Sequence, residues 1–504
     1  MKTGFRQSMA GLHTWSGLLL GWLLFVMFAC GSAAYFQEEI TRWMQPEVIA
    51  APDQASAVNA AQRWLARRAP NAPSWFITVP GKRSAVTQLY WEAPEGAAPD
   101  TPTEAQLDGT GREVTARATA GGYFLYRFHY DLHYLPVIWA RYLVGVAAMF
   151  MLVAILSGIV THKKIFIDFF LLRFGKGQRS WLDAHNVTAV LALPFHLMIT
   201  YTGLVSLASL YVPAPIAAAY PDEAAYYAEA FPQPVAGAKS GPAPLAPLAP
   251  MMAAARRQWH GAEIGYISVT HPGDRTARVA ITSSPSGSMD TRGETVSFDG
   301  LTGRPLAAAA PRGAARLTEG VMIGLHAGRY ADMPLRWLYF VSGLFGTAMI
   351  ATGLVLWTVK RRTRLPDPAR PYLGFLIVER LNIGVVTGFP LAIAGYFLAN
   401  RLLPVDLAAR PDREILALFV IWGAALGWAV LRPAARGWIE LSAACALAFA
   451  AVPLVSATVT GRGLPASLMA GDAMFVAFDS VMLLFAGGFG ALAWILAKRR
   501  RRAA

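Results

Sequence analysis

Histidine is the residue type in this chain whose placement could support chemistry. Six of the nine histidines lie in or beside the first four apolar segments, and the last four apolar segments contain none. Two of these six, His185 and His196, lie within one apolar segment at roughly residues 180–204. An ionisable side chain in such a segment is costly to place in hydrocarbon, so it indicates a function. The remaining four are His13, His133, His162 and His326.

The spacing of His185 and His196 predicts two functional imidazoles at different depths in the membrane. The two residues are eleven positions apart. On a straight α-helix this spacing places two side chains within about 20° of each other and about 16 Å apart along the axis. Both imidazoles are therefore predicted to lie on one helix face at two depths in the membrane.

Such a concentration of histidines predicts a shared ligand. Imidazole is the usual axial ligand of b-type haem, which is held between helices without a covalent bond, and two haems require four histidines. His13 and His185 are predicted to lie at one depth and to hold the first haem. Any two of His133, His196 and His326 could hold the second. Zinc or copper is an alternative ligand, but the candidates are spread over the full predicted membrane thickness.

Each of these histidines also has a structural alternative. His13 and His162 lie near segment ends, where a histidine can be interfacial, and His196 could be a core residue bonded to a carbonyl. Asp479, in the last apolar segment, lies within about two turns of the segment end and is predicted to be solvated. The histidines in polar contexts are predicted to be surface residues: His129, His260 and His271.

Composition and charge indicate a polytopic membrane protein. Hydrophobic residues make up 55% of the 504 residues and charged residues 15%, which is too apolar for a soluble protein of this length. The formal net charge of +14 comes from basic residues at the ends of apolar segments. That pattern indicates membrane orientation and not nucleic-acid binding.

Motif searches exclude several other cofactors. The two cysteines form no CxxC motif, which argues against structural zinc, iron–sulfur clusters and covalently attached c-type haem. No GxGxxG motif follows a predicted strand, so no flavin or NAD(P) site is expected on this chain.

Apolar and polar stretches alternate and define six regions. About eight membrane-spanning helices are predicted, with both termini in the cytoplasm because basic residues flank them. The regions are a first span (1–45), a first external domain (46–133), the second and third spans with a cytoplasmic loop (134–210), a second external domain (211–332), a fourth span (333–362) and a C-terminal extension of four spans (363–504).

The first 360 residues contain an internal duplication. GLHTWSGLLLGW in the first span aligns with DAHNVTAVLALP in the third, and LDGTGREV in the first external domain aligns with FDGLTGRPL in the second. Each external domain contains a predicted helix, then strands, then this turn. The predicted fold class is therefore an all-α polytopic membrane protein with two small α+β domains outside the membrane.

Several motifs together resemble the PepSY-associated transmembrane-helix family. They are LHTWSG, AHNVT, PFHLMITYTG, and LHAGRY before a span that ends in WTVKRR, and the resemblance covers about residues 8–362. The family includes iron-regulated inner-membrane proteins and ferric-siderophore reductases. The resemblance implies that the two external domains are PepSY-like and periplasmic and that the chain lies in the bacterial inner membrane.

The resemblance also implies cofactors, partners and site residues. Two b-type haems would be bound by transmembrane histidines, and electrons would pass outward to a ferric siderophore in the periplasm. The electron donor would be a quinol or a separate reductase. The family's functional histidines map to His13, His133, His185, His196 and His326, with His162 as a sixth candidate.

Two other functions are compatible with the same sequence. A transporter for a siderophore or a metal would use the histidines as proton or metal sites. A non-catalytic membrane regulator would bind peptide through the external domains. Neither of these requires haem, so the visible absorption spectrum separates both from electron transfer.

Overall fold

The structure is a computed structural model that describes residues 4–48, 53–81, 83–84, 86–98, 101–114, 116–162, 169, 171–230, 237–306 and 313–503. The chain divides into two compact units. Unit 1 comprises Met1–Pro46, Arg117–Leu204 and Leu335–Ala504, and unit 2 comprises Glu47–Ala116 and Val205–Pro334. Unit 1 contains the long apolar helices, and unit 2 contains the strands.

Helices dominate the described part of the chain. The helices are α1 (Phe5–Ala34), α2 (Gln37–Met44), α3 (Gln54–Arg68), α4 (Gly121–Asp131), α5 (Val137–Thr161), α6 (Gln178–Leu191), α7 (Leu193–Ser206), α8 (Ala208–Tyr211), α9 (Ala214–Ala219), α10 (Glu223–Ala230), α11 (Leu248–Gln258), α12 (Ala314–Ala327), α13 (Met333–Arg362), α14 (Leu373–Val386), α15 (Gly388–Leu402), α16 (Arg410–Leu431), α17 (Ala434–Thr460), α18 (Leu464–Met469) and α19 (Ala473–Ala503). The strands are β1 (Ser74–Thr78), β2 (Thr87–Trp91), β3 (Glu104–Leu107), β4 (Ile264–Thr270), β5 (Arg278–Ser283) and β6 (Thr295–Asp299).

Seven helical segments among the described residues are long and apolar enough to cross a membrane. They are α1, α5, α13, α14 together with α15, α16, α17 and α19. The pair α6 and α7 forms an eighth if its two halves are one bent span. The prediction of a polytopic membrane protein with about eight spans is confirmed by these lengths and compositions.

The segment that contains His185 and His196 is not a straight helix. It bends by 67° between α6 and α7, at Ala192, two residues before Pro194. Proline has no N–H to donate to the carbonyl four residues earlier, and its ring clashes there, so it kinks a helix at this point. The prediction that both imidazoles lie on one helix face is therefore wrong, because they belong to different helices.

The strands of unit 2 form one antiparallel sheet in the order β3-β2-β1-β4-β5-β6. The prediction of two separate external domains, 46–133 and 211–332, is wrong. β1 pairs with β4 across the two halves, and the paired residues Ile77 and Ile267 are both fully buried. The two halves therefore share a single core with α3 and α11.

The duplicated turns of unit 2 have matching hydrogen bonds. The carboxylate of Asp108 accepts hydrogen bonds from the backbone N–H and hydroxyl of Thr110, at 2.8 and 2.7 Å. The carboxylate of Asp299 accepts the same pair from Thr302, both at 3.0 Å. The backbone N–H of Thr302 holds the pKa of the Asp299 carboxyl below its usual range. The structure thus bears out the predicted relation between LDGTGREV and FDGLTGRPL.

The shared core of unit 2 predicts that its two halves lose structure together. In Ile267→Ala, the missing side-chain volume should cost about 2–5 kcal/mol of the free energy of unfolding. Limited proteolysis of the full-length protein should then cut residues 53–114 as well as residues 237–306. Tyr266→Thr, on the same strand with 46% of the tyrosine exposed, should leave both halves resistant. Cleavage confined to 237–306 would show that the halves are independent.

Candidate functional site

Four histidines of unit 1 share one type of contact. In each, a ring nitrogen lies within hydrogen-bond distance of a backbone carbonyl oxygen. A carbonyl oxygen has two lone pairs, so it accepts from the imidazole as well as from its own helix. The contacts are His13 Nδ1 to Ala154 O at 2.7 Å, His129 Nδ1 to Met27 O at 2.7 Å, His185 Nδ1 to Met349 O at 2.8 Å, and His196 Nε2 to Ser342 O at 3.3 Å.

A glycine follows each of these carbonyls by four residues. In an α-helix, the residue four positions later donates its N–H to the same oxygen. A side chain at that later residue would therefore enter the space beside the oxygen where the imidazole lies. A Cβ added at these glycines would lie 2.8 to 3.1 Å from an imidazole atom, so a larger residue would push the ring away. The glycines are Gly158 beside His13, Gly31 beside His129, Gly353 beside His185 and Gly346 beside His196.

The carbonyl contacts determine which nitrogen of His13 and His185 carries the proton. A carbonyl oxygen only accepts, so Nδ1 must be the N–H, and a neutral imidazole then has its lone pair on Nε2. Metal-binding histidines typically donate their other ring N–H to a carboxylate or carbonyl in this way. The backbone therefore fixes both rings in the form that ligates a metal.

His13 and His185 form the first pair. Their ring centres are 6.1 Å apart and the ring planes are inclined by 66°. The internal duplication relates their supports, since His13 contacts α5 and His185 contacts the equivalent helix α13. His162, at the end of α5, is close enough to His185 for an electrostatic interaction. The structure thus brings three of the predicted histidines together.

His129 and His196 both contact the same part of α1, and they are called the second pair below. The His129 ring contacts Met27 of α1, and the His196 ring centre is 6.1 Å from that of Phe28. Met27 is fourteen residues from His13, which corresponds to about 21 Å along the helix. The two pairs therefore lie at two levels along α1.

The ring of His196 contains a buried atom without a partner. Its side chain is 0% exposed, and Nδ1 has no hydrogen bond with normal geometry among the described residues. Leaving such a buried polar atom unsatisfied costs about 1–3 kcal/mol. A ligand at this ring would offset that cost.

His133 lies in an aromatic environment. Its ring centre is 4.3 Å from that of Tyr134, 5.6 Å from that of Phe124 and 5.9 Å from that of Phe419. Burial lowers the pKa of His133, and the carboxylate of Asp412 opposes this shift. A ligand role for His133 stays a prediction.

The remaining histidines lie elsewhere. His326 is half-buried on α12 of unit 2, and its ligand role also stays a prediction. His260 is exposed, as predicted from its polar context. His271 is half-buried, and its Nδ1 lies 3.0 Å from the hydroxyl of Thr276.

The prediction that His129 is a surface residue is wrong. His129 lies on α4, beside the buried face formed by Leu125, Phe128 and Leu132. Positions 125, 128, 129 and 132 follow the helical pattern i, i+3, i+4 and i+7 of one apolar face. That periodicity is the signal in the sequence that places His129 towards the core, whereas its polar neighbours pointed the other way.

The prediction that Asp479 is solvated is also wrong. Asp479 is 0% exposed, and one of its oxygens accepts a hydrogen bond from Trp43 Nε1 at 3.1 Å. The Arg401 guanidinium lies over the Trp43 ring, 3.8 Å from its centre. The bundle of helices therefore encloses this carboxyl although it lies near the start of α19.

The close packing of His129 on Gly31 gives a stability test. A Gly→Ala change inside a helix normally stabilises it by about 0.5–1 kcal/mol. At Gly31 the new Cβ would lie 2.8 Å from the His129 ring, and such overpacking costs about 1–3 kcal/mol. Gly31→Ala should therefore lower the midpoint of thermal unfolding in detergent.

Gly17, in the same helix, is the matched control. A Cβ at Gly17 would have no neighbour within 4 Å among the described residues. Gly17→Ala should therefore leave the thermal midpoint unchanged or raise it. Equal midpoints for the two variants would contradict the packing of His129 on Gly31.

Comparison with known proteins assigns the family. The model of a family described as the PepSY-associated TM region matches residues 10–360, which are 351 of the 504 residues. Both histidine pairs and their supporting glycines lie within this match, and α14 to α19 lie beyond it. No curated protein matches the chain. The chain belongs to the family defined by the PepSY-associated TM region.

Proposed function

We propose that this protein is a dihaem b-type electron-transfer protein of the bacterial inner membrane that acts as a ferric-siderophore reductase. Electrons would be delivered to a ferric chelate in the periplasm for iron uptake. The observation that carries the proposal is the contact shared by His13, His129, His185 and His196. His196 is buried and the other three are half-buried. Four imidazoles, each held by a carbonyl at a helix surface without a Cβ, would provide the ligands for two haems at two levels.

The first pair fits a bis-imidazole haem site. Two iron–nitrogen bonds of about 2 Å each, plus the distance from each nitrogen to its ring centre, add up to about 6 Å. The centres of the His13 and His185 rings are 6.1 Å apart. Nε2 is the nitrogen with the lone pair in both rings, because each Nδ1 donates to a carbonyl.

The second pair would hold the other haem through His129 and His196. Nδ1 of His196 is buried and has no hydrogen bond with normal geometry among the described residues, which is expected where a ligand belongs at the ring. We assign His129 in preference to His133, because His129 has the carbonyl and glycine support that the other three ligands share. Bound haem would supply one-electron transfer at both levels.

The chain's own residues hold and tune the ligands. Each carbonyl orients its imidazole, and a hydrogen bond from the N–H makes the opposite nitrogen a stronger donor to a metal. The helix α1 connects the two levels, since it supplies His13 to the first pair and the Met27 carbonyl to the second. The helices α1, α4, α5 and α13 share one apolar core, and an apolar shell around a metal site limits solvent access.

A ferric chelate is a substrate that matches one-electron chemistry. Fe(III) is a hard ion that oxygen ligands bind tightly, and its reduction to Fe(II) needs one electron and weakens that binding. The electron donor would be a quinol or a separate reductase.

Loss of single histidines should remove one haem each. The protein purified after expression with ample haem should show Soret and α bands that sharpen on dithionite reduction, from two haems per chain. His185→Ala should lose about half of this absorption because the first pair is broken, His129→Ala should lose the other half, and the double variant should lose nearly all. The haem-to-chain ratio of each variant is the measurement.

His260→Ala and His133→Ala are the controls for this experiment. His260 is exposed and its replacement should leave both haems in place. Replacement of His133 should do the same if His129 is the ligand. Loss of one haem in His133→Ala, with none in His129→Ala, would move the second site to His133. A colourless wild-type protein would reject electron transfer in favour of a transporter or a regulator.

The substrate is tested by reoxidation. The protein is reduced with dithionite and freed of excess reductant. A ferric siderophore should then oxidise it and yield about two Fe(II) per chain. The oxidation is followed by stopped-flow absorption, and the Fe(II) is trapped by an Fe(II)-specific chelator. The gallium complex of the same siderophore has a similar shape but cannot be reduced under these conditions, so the spectrum should stay reduced. A reduced spectrum that also persists with the ferric complex would exclude this substrate.

A further inference from the structure

The C-terminal extension contacts the helix that carries His129. Glu414, on α16 of this extension, is 0% exposed and lies at the start of α4. Its carboxylate accepts hydrogen bonds from the Thr119 hydroxyl at 2.6 Å and from the Ala120 N–H at 3.4 Å. Ala120 is the residue before the first turn of α4 and has no side chain that could cap it. The Thr119 hydroxyl in turn accepts a hydrogen bond from the Gly121 N–H at 3.1 Å. Glu414 therefore completes the cap of α4 from another part of the chain, directly at Ala120 and through the hydroxyl that it orients.

Glu414 is itself held rigidly. Arg410 forms an ion pair with its carboxylate, and Asn400 Nδ2 donates to it at 2.7 Å. Arg410 also donates to the carbonyl of Ala118 at 2.7 Å, just before α4. Because the side chains of Glu414, Arg410 and Asn400 are all buried, the carboxylate has one arrangement in which its partners are satisfied. The start of α4 is thus fixed by groups that lie outside the family match.

A second contact from the extension reinforces the first. The hydroxyl of Tyr396, on α15, donates to the carbonyl of Gly121 at 2.9 Å. The ring of Tyr396 also packs against Phe124 of α4, with 5.3 Å between ring centres.

The opposite side of α4 packs against α1 and the following helix α2. Gly122 N–H donates to the Thr41 hydroxyl at 2.9 Å. A Cβ at Gly122 would lie 2.2 Å from the Gln37 carbonyl oxygen, so no side chain fits between α4 and α2. His129 lies on the same helix, ten residues after Thr119, and contacts Met27 of α1. A change at the start of α4 therefore alters how the His129 ring meets α1.

We propose that Glu414 is a positioning residue for His129, which it controls through the cap of α4. The C-terminal extension thereby sets the geometry of one ligand of the second pair and, through it, the redox potential of that haem and not of the first. This inference rests on the proposed function. Ligand orientation and outer hydrogen bonds are known means of tuning a haem potential.

Thr119 variants test the cap with the least disturbance. Thr119→Val removes the hydroxyl that donates to Glu414 and accepts from the Gly121 N–H and keeps the shape, whereas Thr119→Ser keeps the hydroxyl. In a redox titration of the full-length protein, Thr119→Val should shift the midpoint potential of the haem that is lost in His129→Ala. The haem that is lost in His185→Ala should keep its potential, and Thr119→Ser should match the wild type.

Hydrogen exchange gives a second readout that does not depend on haem. Amides of residues 121–124 should exchange faster in Thr119→Val than in Thr119→Ser, because the first turn of α4 loses its cap. Tyr396→Phe removes the hydroxyl that donates to the Gly121 carbonyl and should have the same two effects. It replaces Thr119→Val if that variant accumulates poorly. Glu440→Gln, in a pair with Arg432 elsewhere in the extension, should change neither readout.

The outcomes separate this inference from the proposed function. Faster exchange in α4 with both potentials unchanged would leave Glu414 with a structural role only and overturn the inference. Equal shifts of both haems would also overturn it. A wild-type protein without haem would reject the proposed function, and the inference with it.

Discussion

The structure of unit 1 depends on one type of hydrogen bond. An imidazole N–H donates to a backbone carbonyl that also accepts the N–H four residues later in its own helix. Glycine four positions later leaves room for this bond, because a Cβ there would lie 2.8 to 3.1 Å from the ring and push it away. This constraint occurs at four histidines and involves α1, α5 and α13 as the helices that accept. Helix spacing, ring orientation and tautomer are therefore fixed by the same contact.

The two histidine pairs relate differently to the internal duplication. In the first pair, His13 and His185 occupy equivalent positions in the duplication and form hydrogen bonds to equivalent helices, so the pair is symmetric. The second pair is not symmetric, since His129 lies on α4 and His196 on α7 beyond the bend. The two pairs therefore have different surroundings. The C-terminal extension contacts α4 and so adds to this difference.

Some of this arrangement could be predicted from the sequence and some could not. The alignment of the two halves placed His13 with His185, because equivalent spans enter the membrane at the same side. The bend at Ala192 was missed because hydropathy measures length and composition, although Pro194 was visible. The pairing of β1 with β4 was missed because residues 77 and 267 are far apart in sequence, and alternation shows which face is buried but not which strand is the neighbour. His129 was missed because its local polarity was weighed above its place in the apolar pattern of α4.

Electron paramagnetic resonance of the oxidised protein, isolated after expression with ample haem, tests the proposed ligand pairs most directly. Iron held between two imidazoles is low-spin, so we expect two low-spin ferric signals of about equal intensity, from two centres with different surroundings. A single signal, a high-spin spectrum or the absence of any haem signal would contradict the proposed pairs.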